Sequence, residues 1–65
     1  MRLSEFWRRM GEAFGPAYAR SVASDQVVPQ LGRTVDDALR SGVDATVVWR
    51  AVAAAYPDRV PSRLR

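Results

Sequence analysis

The stretch TVDDALRSGVDATVVWRAVAAAY, residues 34–56, decides the fold class. It opens on a helix start signal. Thr34 followed three residues later by Asp37 has the spacing of a capping box, with Asp in place of the usual Glu or Gln. Asp36 and Asp37 also suit the positive end of a helix dipole. The helix so begun is short, residues 35–41, with Ala38 and Leu39 as its apolar contribution, and Gly42 stops it. Asp44 then caps a longer helix, residues 45–56. Its inward stripe is Val48, Trp49, Val52, Ala55 and Tyr56, and Pro57 ends it.

The same period extends toward the N-terminus. Leu3, Phe6, Trp7, Met10 and Phe14 recur at helical spacing, with Ser4 as the expected N-cap and Glu5 in the first turn. Phe6 and Trp7 are adjacent and lie about 100° apart on a helix, so only one of them can point fully inward. Gly11 lies in line with Trp7, where it would let a neighbouring helix approach. Gly15 terminates the segment and Pro16 suits the first position of the next helix, which meets no breaker before Pro29. Tyr18 and Val22 share its inner face. Leu31, between Pro29 and Gly32, is expected to turn inward. These segments predict an all-α protein, a compact bundle of about four short helices at residues 4–14, 16–28, 35–41 and 45–56. The expected core is Trp7, Phe14, Tyr18, Leu39, Trp49 and Val52. Residues 57–65, PDRVPSRLR, have no helical period and are expected to be a mobile basic tail outside the 1–56 domain.

Composition narrows the chemistry. The 65 residues include neither His nor Cys, and all 10 basic residues are Arg. That removes thiolate and imidazole zinc sites, Ser-His and Cys-His nucleophile pairs, Schiff-base chemistry and the P-loop lysine. No glycine-rich phosphate motif is present. The expectation is a chain that is not an enzyme and that takes no cofactor and no metal. Glu5, Arg8, Arg9 and Glu12 interrupt the opening apolar residues, so no signal peptide is expected. No stretch approaches the ~20 apolar residues of a membrane span, and the expected location is the cytoplasm, away from membranes.

Residues 34–52 also carry a helix-turn-helix spacing. Ala38, Gly42, Val43 and Val48 occupy the small, turn and apolar positions of the bacterial repressor-type motif, with Arg50 near the outer face. Asp37 stands where that motif has an apolar residue. The start of the second helix, Asp44-Ala45-Thr46-Val47, lacks side chains that read base edges, and Asp36, Asp37 and Asp44 would oppose phosphates. An αα-hairpin used for packing is the simpler reading. Arg8 and Arg9 are likewise expected to be neutralised by Glu5 and Glu12.

Four blocks, MRLSEFW, YARSVASDQV, RTVDDAL and VWRAV, resemble a small actinobacterial family, domain of unknown function 3046. The resemblance covers residues 1 to about 56 and implies no established activity. It implies genes that sit near recombination and repair genes. The chain departs from the family pattern at Pro29-Gln30, after DQV, which bears on where the second helix ends.

The expected function is that of a protein-interaction or regulatory accessory module with a protein partner, linked to DNA recombination or repair. Candidate partner-binding residues are Phe6, Trp7, Arg9 and Arg50. The alternative is DNA binding through the helix-turn-helix-like unit at 34–56, with Arg50, Arg59, Arg63 and Arg65 as nucleic-acid contacts. The charge favours the first. The net charge is +3, but residues 1–56 carry seven arginines against six acids, and residues 57–65 carry three against one. Most of the excess therefore lies in the last nine residues.

Overall fold

The computed structural model describes residues 1–65. The first helix, α1, spans Leu3–Phe14 and buries Phe6, Met10 and Phe14, one residue per turn on a single face. Phe6 takes the inward direction and Trp7 is left half-buried at its side. Ser4 is not the N-cap. The Phe6 amide donates to the Arg2 carbonyl at 3.0 Å, so the helix starts earlier, with Arg2 capping through its backbone alone. Gly15, at φ +85°, ends α1 in a conformation that side chains disfavour. Pro16 then opens α2, Pro16–Asp25, which buries the small side chains Ala19, Val22 and Ala23 against the core.

The predicted second helix is too long. Gln26 is already extended, and Val27–Val28 form β1, antiparallel to β2 at Arg33–Thr34 with Val27 opposite Thr34. Pro29 explains the break, because the residue before proline is steered out of the α region and valine suits the extended one. Alternation then buries Val28 and exposes Val27. The fold is thus mostly helical, with a two-stranded hairpin in addition to the predicted helices.

Thr34 accepts the Asp37 amide at 3.1 Å, the capping contact its sequence position predicts, and starts α3, Val35–Arg40. Gly42, at φ +90°, carries the turn into α4, Ala45–Ala55. Asp44 stands at its N-cap without a side-chain bond. This last helix is the centre of the molecule and buries Ala45, Val48, Trp49, Ala51 and Val52. Tyr56 caps its end, and its hydroxyl donates to Gln26 Oε1 at 2.7 Å, joining α4 to the link between α2 and β1.

Three expected core residues fall elsewhere. Tyr18 is 45 % exposed, because the inner face of α2 runs through Ala19, Val22 and Ala23 rather than through it. Leu39 and Trp7 are partly buried and pack on the core from outside.

The largest correction concerns residues 57–65. They are docked, with Val60 0 % and Leu64 4 % exposed. A turn after Tyr56 brings the chain back, and Ser62–Leu64 form one 3₁₀ turn. The Trp49 indole N–H, 1 % exposed, donates to the Leu64 carbonyl at 2.7 Å, and Arg9 Nη1 donates to the same oxygen at 3.2 Å. A buried indole needs an acceptor, and only this segment supplies one.

Leu64→Ala is therefore expected to cost about 2–5 kcal/mol. That is comparable to the whole stability that so small a core supplies. Urea denaturation followed by circular dichroism measures it. A chain ending at Tyr56 should lose its cooperative transition, and an unchanged midpoint in both variants would place the segment outside the core.

Candidate functional site

The outer face of α1 is a ladder of charges. Arg8 Nε donates to Glu5 at 3.0 Å, Arg9 Nε donates to Glu5 at 2.9 Å, and Arg8 also bonds Glu12. The hydrogen bonds from Arg8 and then Arg9, helped by their charges, lower the Glu5 carboxyl from 4.5 to about 2. The same contact raises the Arg8 guanidinium. Arg63 reaches the ladder too, donating to Glu12 at 3.2 Å. The local neutralisation expected of Arg8 and Arg9 is what the helix shows.

Of the candidate partner-binding residues, two are absorbed by the fold. Phe6 is fully buried, packed edge-on to Trp7 at 5.3 Å and to Trp49 at 6.0 Å, so it presents nothing to a partner. Arg9 spans Glu5 and the Leu64 carbonyl and acts as a strut. Trp7 keeps part of its surface, but the Arg20 guanidinium lies 4.8 Å from its ring centroid. Beside this stack runs a groove of about 450 Å³ between α1 and α2, with Gly11 and Ala19 in its lining. A Cβ on Gly11 would meet nothing within 4 Å, so the glycine does not serve a close helix approach, contrary to its sequence reading.

Arg50 is different. It is exposed on α4, and of the ten guanidiniums only Arg2 and Arg50 make no hydrogen bond, ion pair or ring contact. It lines a hollow of about 300 Å³ whose floor is Trp49, Ala53 and Ala54 and whose other guanidinium is Arg65. The candidate nucleic-acid contacts are therefore split. Arg50 and Arg65 meet at one hollow, whereas Arg63 is tied to Glu12 and Arg59 lies 5.6 Å from the Tyr18 ring centroid. The sequence pattern gives Arg20, Ala53 and Ala54 no role. The small residues lie one turn from Trp49 and Arg50, which is the one local sign of the hollow.

The residues of the helix-turn-helix spacing pack as a hairpin does. Ala38 and Val48 are buried, Val43 is half-buried, and its amide donates to the Ala38 carbonyl at 3.0 Å. The outer stripe of α4, at Val47, Arg50 and Ala54, carries one guanidinium. No helix is long and apolar enough to cross a membrane.

The family model described as "Protein of unknown function (DUF3046)" matches residues 1–63. The chain belongs to this family. The match reaches into the docked C-terminal segment as far as Arg63, so the DUF3046 unit includes Val60 as well as the four helices. No curated protein and no solved structure matches the chain.

Two outcomes are expected. A carboxylate with a depressed pKa stabilises the fold above its unfolded value and loses that contribution as the pH falls through its folded value. The Glu5 ladder should thus stabilise fully above about pH 4.5 and fade toward about pH 2. Melting temperatures of the native chain and Glu5→Gln should differ by a constant amount at neutral pH and converge in acid, and a gap that persists to the lowest pH would exclude the ladder. Gly11→Ala should raise the unfolding free energy by about 1 kcal/mol, since helix interiors favour alanine and the space is open.

Proposed function

We propose that the chain is a non-enzymatic interaction module, an accessory or regulatory protein that docks a protein partner on the solvent face of α4. The observation that carries this reading is Arg50. The other arginines of the candidate sites are engaged with Glu5, Glu12, Tyr18 or backbone carbonyls, and Arg50 stands free above an apolar floor. An unpaired arginine is among the side chains enriched at interface centres. The absence of His, Cys and Lys supports the non-enzymatic part. A role beside DNA recombination or repair belongs to the same proposal and is supported by the family resemblance alone.

The second reading, DNA binding by the unit at residues 34–56, is favoured by the same exposed Arg50 and opposed by the acidic Asp37 and Asp44 of that unit. A photo-crosslinker placed at Val47 separates the two. A discrete protein adduct from Val47 that Arg50→Glu abolishes, with the circular dichroism unchanged, is the expected result. Duplex DNA binding at low salt that weakens steeply as salt rises would replace the protein partner with the second reading. Adducts from an equivalent probe at Tyr18 and none from Val47 would move the interface away from α4.

A further inference from the structure

We propose that the hollow between α4 and the C-terminal segment is a carboxylate-binding site, and that its occupant is an acidic stretch of a protein partner in which Asp or Glu is followed by an apolar side chain. This rests on the reading of α4 as the docking face and names what that face recognises. Arg65 is held in place, its Nε donating to the Val60 carbonyl at 3.1 Å and its Nη2 to the Pro57 carbonyl at 3.3 Å. Three of its five N–H groups are left over, and all five of Arg50 are. Neither guanidinium has a carboxylate within 4.0 Å, although the arginines along α1 are paired. Two guanidiniums line one hollow, and an incoming anion would accept from planar donors suited to carboxylate.

The floor selects the kind of anion. Ala53 and Ala54, lying over the buried Trp49, offer apolar surface to whatever sits between the guanidiniums. A phosphate group gains nothing from such a floor, whereas a peptide lays a carboxylate on the arginines and a neighbouring Leu or Phe on the alanines. The volume, about 300 Å³, is at the small end of ligand clefts and suits one or two side chains.

The test is an NMR titration of the full ¹⁵N-labelled chain, following Arg50 Nε–H, the Trp49 indole and the Ala53 and Ala54 amides. The probes are a short synthetic peptide alternating Glu with Leu and Phe, its Gln-substituted counterpart, inorganic phosphate and a duplex DNA. The expected result is saturable shifts at these four groups with the acidic peptide alone. Arg50→Gln, which removes no contact within the fold, should weaken them about tenfold. Equal shifts from the Gln peptide would overturn the carboxylate claim and leave the docking face standing. Stronger shifts from phosphate or DNA would overturn the acidic partner in favour of a phosphate ligand. No shift at the hollow, together with no Val47 adduct, would overturn both readings.

Discussion

One carbonyl oxygen closes this protein. Leu64 O accepts the indole N–H of Trp49 from α4 and a guanidinium N–H of Arg9 from α1, using both of its lone pairs. Trp49 is among the largest fully buried side chains, and leaving its N–H unpaired there would cost about 1–3 kcal/mol. The central helix can therefore bury its tryptophan only if the chain returns to meet it. The return brings Val60 and Leu64 with it into the core. Arg9 reaches that oxygen because Glu5 holds its other edge, so the charge ladder of α1 also orients the closure. No buried side-chain polar atom is left without a partner.

The sequence was legible where the determinants are local. The Phe6, Met10 and Phe14 stripe, the Thr34 cap, the Gly42 turn and the pairing of Glu5 with Arg9 each depend on residues within a turn or two, and each is present. The end of α2 was misplaced because Pro29 acts backward on Val28, and extended valines then need a partner strand that local reading does not provide. The docked segment was missed for a stronger reason. PDRVPSRLR has no period of its own, and its only sign of burial is Val60 four residues before Leu64, whose meaning depends on an indole 15 residues away. Tyr18 misled by sharing a helix with the true inner face.

The candidate site was read from residue types and came out redistributed. Aromatic residues and paired arginines on α1 look like a binding surface in sequence, yet Phe6 is sealed and Arg9 is spent on the fold. Arg50 kept its position as a candidate because nothing within the chain opposes it. Its association with Arg65 could not be read from spacing, since it exists only after the C-terminal segment has docked. The basic excess of the last nine residues is likewise not a loose charge cloud. One guanidinium is paired, one stacks on a ring, and one is fixed by backbone carbonyls.

The Leu64 closure also dictates the order in which the protein can be made. Chains emerge from the ribosome N-terminus first, and small units fold when their contacts are complete. Here α1, α2 and α3 can form early, but the indole in α4 meets its acceptor only after fifteen further residues have followed it out. Until then the nascent chain holds an incomplete core, with Trp49 unpaired and the sockets of Val60 and Leu64 empty. The core of this domain is therefore complete only once residue 64 has reached Trp49.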